Sequence, residues 1–450
     1  MSTDLDRTPG EDLGRGENNC KTKPELLLPA GDMETLKVAF HFGADAVYLG
    51  GTRFGLRAKA GNFSSDEMRQ AVGYAHELGK KVYVTVNIYA HNGDLDGLSG
   101  YFEELDDIGP DAVLISDPGV FALAKRFAPH LPIHISTQAN TTNYEAARFW
   151  YDQGASRVVT ARELSLEEIR GLRAYIPEDM EIESFVHGSM CISYSGRCLL
   201  SSYMTGRDAN RGACTHPCRW KYHLMEGAPE DVAFDYAVEE DSRPGEYFPV
   251  EEDERGTYIF SSRDMAMIGH IDELIAAGVD SFKIEGRMKN ALYVATVARA
   301  YRAAIDECIA DVEAYRSHIP LYEEEIRATT FRPFGTGFYY GNPSHEGQIY
   351  DTNTYITAYT YLGIIRDVDE AGRGFFIQKN KFSVGEHIEV IGPKLIKNEV
   401  CVTAITTEDG VSQESCPHAG QRLFVTTDGT LTPGDIIRRR ECAVDTATPV

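Results

Sequence analysis

Short apolar runs alternate with longer amphipathic segments from Pro24 to about residue 310. The short runs predict β-strands, and the segments between them, in which apolar residues recur every three or four positions, predict helices. The predicted strands are 25–30, 46–50, 81–87, 112–117, 133–138, 157–161, 181–187 and 281–286. The predicted helices are 33–43, 65–79, 94–107, 118–128, 142–153, 165–175, 266–277 and 289–308.

This alternation of strands and helices indicates an α/β fold. It favours a closed (β/α)8, TIM-like barrel over an open doubly wound sheet. No G-x-G-x-x-G follows the first strand, as a dinucleotide-binding sheet would need. Ser65, Asp117 and Ser165 stand where helix N-caps are expected, and Gly79 and Gly154 stand where helices are expected to end.

Beyond about residue 330 the pattern changes to short alternating strands broken by turns, which predicts a small C-terminal antiparallel β-barrel. The sequence thus predicts a disordered N-terminal tail (1–23), the TIM-like barrel (24–328) with a Cys-rich insertion (188–257), and the β-barrel domain (329–445). The second domain is open to two interpretations, a module that docks RNA or a protein partner, or a structural cap.

Four of the nine cysteines lie in the insertion, as Cys191-x6-Cys198-x15-Cys214-x3-Cys218. The surrounding segment is rich in Gly, Ser and Arg and poor in aliphatic residues, so that ligation of a metal or an iron–sulfur cluster would order it. Disulfides and a structural zinc site are the alternatives. The C-x3-C-x2-C motif of radical enzymes that bind S-adenosylmethionine is not complete, because Lys221 occupies the third cysteine position.

The net charge of −25 argues against a protein that coats nucleic acid, since phosphate attraction needs clustered Lys and Arg. Much of this charge comes from residues 226–254, which hold twelve acidic residues and one basic residue. A local basic patch around Arg207, Arg211, Arg219 and Lys221 could still meet RNA. No signal peptide or apolar run of membrane-spanning length is visible in the sequence, so we expect a cytoplasmic protein without membrane contact, in which stable disulfides are rare.

Polar residues at the C-terminal ends of the predicted strands are the candidate site residues, because active sites of this fold form on that face. We predict catalytic roles for His187, Glu285 and Gln138. We predict substrate binding by Asn87 and Arg162, and by two arginines of a Gly-rich loop that could clamp a carboxylate, Arg53 and Arg57. Each of these residues could instead serve loop packing or a surface salt bridge. Asp117, Asn140 and Glu163 occupy similar strand-end positions.

One long motif carries a family resemblance. The pattern Glu183-x-Phe185-x2-Gly188-Ser189-Met190-Cys191-x4-Gly196-x-Cys198-x-Leu200-Ser201 resembles the signature of peptidase family U-32, the collagenase-like peptidases. The similarity extends to the segment 25–51, to CTHPCRW (214–220), to IEGRMKN (284–290) and to RPFGTGFYYGN (332–342). Within the family, the chain is most similar to the tRNA 5-hydroxyuridine modification proteins.

The resemblance implies a 4Fe-4S cluster held by Cys191, Cys198, Cys214 and Cys218. It also implies prephenate-dependent hydroxylation of the tRNA wobble uridine to 5-hydroxyuridine, with the anticodon loop as the macromolecular partner. Prephenate is a dicarboxylate, for which Arg53 and Arg57 are the expected ligands. Phe185, Tyr194 and Tyr203 are expected either to stack on a base or to belong to the core.

Three other functions stay open from the sequence. The first is a collagenase-like peptidase, which the family name suggests, although neither H-E-x-x-H nor G-x-S-x-G is present. The second is hydroxylation of another small aromatic acceptor. The third is an RNA-binding or scaffold protein in which a metal only folds the insertion.

Overall fold

The computed structural model describes residues 23–55, 61–191, 198–207, 214–220, 222–226, 236–240, 247–250, 262–341, 343 and 356–441. Residues 1–22 of the predicted tail lie outside these residues, as do Arg57, Tyr194, Arg211, Lys221 and much of the acidic run.

The part up to Ile284 contains twelve strands in the described residues. Eight of them begin where the apolar runs predict them, and the four between residues 222 and 266 were not predicted. The twelve strands are β1 (Glu25–Pro29), β2 (Ala46–Gly50), β3 (Lys81–Val86), β4 (Ala112–Ile115), β5 (Ile133–Ile135), β6 (Arg157–Val159), β7 (Glu181–Ser189), β8 (Tyr222–Glu226), β9 (Tyr236–Glu240), β10 (Tyr247–Val250), β11 (Asp264–Ala266) and β12 (Ser281–Ile284). Strands β1 to β7 and β12 pair in parallel in chain order, and β12 pairs with both β7 and β1. The predicted TIM-like barrel is therefore confirmed.

Helices separate most of these strands. They are α1 (Met33–His41), α2 (Ser65–Glu77), α3 (Leu98–Ile108), α4 (Pro118–Phe127), α5 (Tyr144–Asp152), α6 (Leu166–Tyr175), α7 (Leu200–Thr205), α8 (Ile271–Ala276), α9 (Ala291–Ala310) and α10 (Val312–Ile326). In the insertion, β8, β9 and β10 form a small antiparallel sheet.

Most predicted caps are correct, and one is wrong by a residue. Asp117 and Ser165 accept hydrogen bonds from backbone N–H groups of the first turns of α4 and α6. The cap of α2 is Ser64 and not Ser65, because Ser64 forms a reciprocal capping box with Glu67. Helix α10 was not predicted, since Pro320 interrupts its pattern; Asp311 nevertheless caps it.

The C-terminal part contains a second barrel. The strands of this part of the chain are β13 (Thr330–Phe331), β14 (Phe334–Gly335), β15 (Ile356–Thr357), β16 (Tyr359–Val368), β17 (Gly374–Ile377), β18 (His387–Ile391), β19 (Glu399–Thr407), β20 (Ser412–Gln413), β21 (Arg422–Thr427) and β22 (Ile436–Arg440). Strands β18, β22, β16, β17, β21 and β19 pair in that order, and β19 pairs back with β18, which closes an antiparallel barrel. The predicted fold of this domain is confirmed.

A buried charge cluster joins the two barrels. Glu325 of α10 accepts hydrogen bonds from Arg299 of α9 at 2.9 Å and from Arg438 of β22 at 3.0 Å. Arg299 also donates to the carbonyl oxygen of Gly392, in the loop after β18, at 3.1 Å. These side chains are almost fully buried, so the contact fixes the small barrel against α9 and α10. Separately, β14 pairs with β11, which itself pairs with β7, so this short strand extends the sheet of the larger barrel.

In the described part of the chain, every helix is too short or too polar to cross a membrane.

Candidate functional site

A cavity of about 90 Å³ opens at the C-terminal ends of the barrel strands. Four of the residues predicted for the site line it together: Asn87, Gln138, Arg162 and Glu285. The remaining lining residues come from the strand ends around them, and they are Tyr48, Thr85, Leu114, Ser136, Thr137, Val159, Phe185, Lys283 and Arg287. This position agrees with the rule that active sites of TIM-like barrels form on this face.

Below the cavity, charged side chains fill the barrel interior. Arg157 of β6 donates to Glu25 of β1 at 2.7 Å and to Glu183 of β7 at 2.9 Å. Lys283 of β12 donates to the other oxygen of Glu183 at 2.5 Å. Burial lowers the pKa of Lys283, and the adjacent Glu183 carboxylate opposes that change. Each of these buried charges thus has a partner of opposite sign, which offsets part of the free-energy cost of its desolvation.

Three residues of the family-like motif have clear structural roles. Glu183 links Arg157 to Lys283, as described above. Phe185, two positions further along β7, faces the cavity. Gly188 has a φ of +115°, and a Cβ at this position would lie 2.7 Å from Cβ of Glu285. Only glycine fits there, because both the backbone conformation and the close approach exclude a side chain.

Arg162 follows β6 and reaches the end of β7. Its Nη1 donates to the carbonyl oxygen of Ser189 at 2.9 Å, and its guanidinium carbon lies 4.0 Å from the centre of the Phe185 ring. Its Nε is buried and has no hydrogen-bond partner. The guanidinium is thus held in place while part of its donor capacity stays unused.

Another part of the lining comes from β12 and the residues after it. Lys283, Glu285 and Arg287 alternate along the chain and all line the cavity. Arg287 is buried and donates to Thr85 Oγ1 at 3.1 Å. Sequence reasoning selected only Glu285 from this segment, although charged residues at every second position of an otherwise apolar barrel strand indicate an inward-facing polar set.

Asn87 and Gln138 complete the polar rim. Asn87 Nδ2 donates to Ser136 Oγ at 3.2 Å, which joins the ends of β3 and β5. Oε1 of Gln138 is buried without a hydrogen-bond partner. Both side chains are only half-buried and therefore accessible from the cavity.

His187 is not among the residues that line the cavity. The pairing between β7 and β12 shifts at this point, so that Phe185 lies opposite Lys283 while His187 lies opposite Ile284. The irregularity turns His187 away from the barrel interior and against the rings of Tyr301 and Phe334. Burial lowers the pKa of His187 to about 3, so its imidazole is neutral at physiological pH.

Arg53 also lies outside the cavity lining. Its side chain is 55% exposed, and its Nη2 lies 3.4 Å from Oε2 of Glu104. This is the surface ion pair that the sequence leaves open as an alternative to a carboxylate clamp. Arg57 is outside the described residues. Among the other strand-end residues, Asp117 caps α4, and Asn140 and Glu163 lie outside the cavity lining.

The cysteine segment begins at the strand that borders the cavity. Ser189, whose carbonyl oxygen binds Arg162, is the last residue of β7, and Cys191 follows two positions later. Cys198 lies two residues before Leu200, the first residue of α7. All four cysteines of the segment are free thiols, with Cys191 exposed and the other three half-buried.

Hydroxyl groups tie the two halves of this segment together. The backbone N–H of Thr215 donates to Ser201 Oγ at 3.0 Å, and the Ser201 and Thr215 hydroxyls lie 3.2 Å apart. The Thr205 hydroxyl donates to the Ser201 carbonyl oxygen at 2.7 Å. Because Ser201 follows Cys198 and Thr215 follows Cys214, these bonds bring the two cysteine-bearing arms together.

The thiols themselves interact. Burial raises the pKa of the Cys214 thiol, and the nearby Cys191 and Cys198 raise it further. The hydrogen bond from the backbone N–H of His216 to Cys214 Sγ, at 3.4 Å, opposes this change. Within the residues that the structure describes, no set of three or more His, Cys, Asp or Glu side chains has the geometry of a metal site. Four free thiols are the number of ligands that a cysteine-ligated iron–sulfur cluster or a structural zinc site uses.

Comparison with known proteins gives the family. The family model of Peptidase family U32 matches residues 31–349, and that of the Peptidase family U32 C-terminal domain matches residues 357–438. The chain is 38% identical to tRNA hydroxylation protein P1 of Bacillus subtilis, over 94% of this chain and 96% of the relative.

Two further relatives are similar. Over 83% of this chain and 87% of the relative, the identity to tRNA hydroxylation protein P of Escherichia coli is 39%. The 23S rRNA 5-hydroxycytidine C2501 synthase of Escherichia coli is 36% identical over 63% of this chain and 40% of its own length. The chain therefore belongs to peptidase family U32.

Proposed function

We propose that this protein hydroxylates tRNA, converting the wobble uridine to 5-hydroxyuridine in a reaction that depends on a 4Fe-4S cluster and on prephenate. The relatives named for tRNA hydroxylation match the chain over most of its length, which supports the RNA substrate. The observation that carries the proposal is the placement of a cysteine set at the end of the strand that borders the barrel cavity.

The residues that would hold the cluster are Cys191, Cys198, Cys214 and Cys218. A bound cluster would supply redox chemistry at this point of the protein. The hydroxyl network of Ser201, Thr205 and Thr215 holds the arms that carry the thiols. The partial burial of Cys198, Cys214 and Cys218 limits solvent access to the set.

The cavity suits a reaction on an extruded base. Anticodon bases are unpaired and can be splayed out of the stack into a concave site. Of the predicted catalytic residues, Glu285 and Gln138 line the cavity and are our candidates for proton transfer and for orienting the base. His187 is buried behind β7, so we assign it a packing role instead.

The family name keeps a peptidase activity as the alternative, and hydroxylation of another small aromatic acceptor is a further one. These three activities are distinguished by the substrate that the purified protein changes. A peptidase would cleave a gelatin-like substrate with purified protein, whereas the proposed enzyme would leave it intact and change tRNA. A hydroxylase of a small aromatic acceptor would change neither.

The test is nucleoside analysis by mass spectrometry. The protein is expressed in a bacterium whose own tRNA hydroxylation relatives are deleted and whose tRNA lacks 5-hydroxyuridine derivatives. We expect the wild type to restore the modification, Cys214→Ser to fail, and the control Cys401→Ser, altered at a half-buried thiol of the small barrel, to behave as wild type. Restoration by Cys214→Ser at normal level would contradict the cluster, and no restoration by the wild type would contradict the RNA substrate.

A further inference from the structure

We infer that RNA phosphates bind a basic strip that leads from the cavity mouth to one end of the small barrel. The strip consists of Lys289, Lys381, Arg439 and Arg440. The inference deepens the proposed function and rests on it for the identity of the RNA, which is the tRNA whose base enters the cavity. The case comes from the continuity of the strip with the cavity, from its charge and from the exposure of its cations.

The strip starts at the segment that lines the cavity. Arg287 belongs to the lining, and Met288 and Lys289 follow it directly along the chain. The side chain of Met288 is 57% exposed, so the chain reaches the surface at this point. An RNA strand whose base enters the cavity beside Arg287 would thus have its neighbouring phosphates close to Lys289.

Strand pairs connect Lys289 to the small barrel. Nζ of Lys289 lies 3.5 Å from the carbonyl oxygen of Thr330, and Thr330 of β13 pairs with Thr357 of β15. Strand β16 begins two residues after Thr357, at Tyr359, which lies opposite Arg440 of β22. A continuous series of contacts therefore joins the cavity mouth to the cations at this end of the small barrel.

These cations outnumber the carboxylates that contact them, although the whole chain has a net charge of −25. Arg439 donates to the carbonyl oxygen of Lys381 at 3.0 Å and pairs with Glu386 and Glu441, both at 3.1 Å. Lys381 and Arg440 are exposed, and among the described residues neither has an ion-pair partner. Three cations with two carboxylates leave an excess of one positive charge.

A neighbouring group extends the positive region. Lys379 lies two residues before Lys381 and pairs with Glu34 of α1 at 3.3 Å. Arg366 of β16 pairs with the same carboxylate at 2.7 Å. Two cations share one carboxylate here, so this group also carries an excess of positive charge.

The partner that fits such a surface is a nucleic-acid backbone. Exposed lysine and arginine side chains bind phosphate oxygens and fix the position of the RNA without reading its sequence. The Debye length at physiological salt is about 8 Å, so acidic groups farther from the strip are largely screened from a phosphate bound there. A local excess of cations thus reconciles the acidic chain with an RNA substrate.

The experiment measures binding of the full-length protein, purified without oxygen, to a fluorescent RNA hairpin by anisotropy. The hairpin carries the anticodon stem and loop of a tRNA whose wobble base is uridine. The double variant Lys381→Gln/Arg440→Gln is expected to bind about tenfold more weakly at physiological salt. Its slope of log affinity against log salt concentration should be smaller by about one to two.

Two further variants make the result specific. The matched control is Lys125→Gln/Arg126→Gln, which removes the same charge from two exposed residues in the last turn of α4. Its affinity should stay at the wild-type value. Glu441→Gln removes a carboxylate that competes with phosphate for Arg439, so it should tighten binding about two- to fivefold. Thermal melting of each variant checks that it is folded.

Four results would overturn the inference. They are no hairpin binding by the wild type, unchanged affinity in the double variant, an equal loss in the control, and weaker binding by Glu441→Gln. The proposed function is tested separately, by the modified nucleoside. A wild type that restores 5-hydroxyuridine derivatives while the double variant binds the hairpin normally would contradict the strip alone.

Discussion

The two barrels of this protein are filled with opposite kinds of side chain. In the eight-stranded barrel, ion pairs and hydrogen bonds occupy the interior, among Glu25, Tyr83, Arg157, Glu183 and Lys283. In the six-stranded barrel, a cluster of buried aliphatic and aromatic residues occupies it, including Leu362, Phe376, Ile405, Leu423 and Val425. Charges inside a barrel cost free energy of desolvation, whereas hydrocarbon inside a barrel stabilises it.

The difference between the two interiors bears on what each barrel does. An eight-stranded barrel is just wide enough for side chains to fill, and here the upper part of its interior is left as a cavity with charged walls. Such an interior is unfavourable for stability and suited to binding a polar ligand. The small barrel has the composition of an ordinary core, and the buried Glu325 cluster attaches it to the larger one. We therefore expect the chemistry at the cavity of the first barrel. The small barrel stays open to both interpretations, a module that docks RNA or a protein partner and a structural cap.

The largest effect is expected from Lys283→Met. This change leaves the second oxygen of Glu183 without its buried cation, and breaking such a pair costs about 3–5 kcal/mol of unfolding free energy. The control Lys397→Met removes a half-exposed ion pair with Glu324, which is worth about 1 kcal/mol or less. Urea unfolding of the three proteins measures both. Equal costs for the two variants would mean that the interior charges are not desolvated.

A somewhat smaller effect is expected from Leu423→Ala in the small barrel. Leu423 is 1% exposed, and its truncation should cost about 2–5 kcal/mol, from lost burial and from the cavity it leaves. Restoration of 5-hydroxyuridine derivatives, measured on the folded variant by the nucleoside analysis described above, should not change. A folded variant that no longer restores the modification would show that the core of the small barrel contributes to the activity.

The smallest effect concerns pH and His187. Burial lowers its pKa to about 3 in the folded protein, against about 6.5 when unfolded. Between these values only the unfolded chain binds the proton, so stability is fully present above pH 6.5 and is lost as the pH falls, by up to about 1.4 kcal/mol per pH unit. His187→Phe should remove this contribution. The unfolding free energies of the wild type and the variant at pH 5 and pH 7 measure this contribution. The same pH dependence in both proteins would mean that the imidazole of His187 is exposed to solvent.

The fold was predictable because its signals are local. Apolar runs such as 25–30 and 46–50 and caps such as Asp117 and Ser165 specify the βα units without reference to the rest of the chain. The rule that sites form at strand ends then selects Asn87, which does line the cavity. Helix α10 was missed because Pro320 disrupts its pattern, although Asp311 provides an N-cap.

Other assignments, such as the outward position of His187, depend on tertiary register, which local alternation along a strand does not encode. The irregular pairing of β7 with β12 turns His187 outward, and simple alternation along β7 would place it inside. Lys283 belongs to the interior because it meets Glu183 across that same pair of strands. Arg53 and Arg162 look alike as loop arginines, and only the fold shows that one meets solvent and the other the cavity.

The central claim is that the cysteine segment beside the charged barrel holds a redox cluster. The direct measurement is iron and acid-labile sulfide content, with a visible absorption spectrum, on protein purified without oxygen, for the wild type and for Cys214→Ser. The account predicts about four irons and four sulfides per wild-type chain, as a 4Fe-4S cluster requires, and their loss in the variant. One zinc ion and no sulfide in the wild type would contradict it.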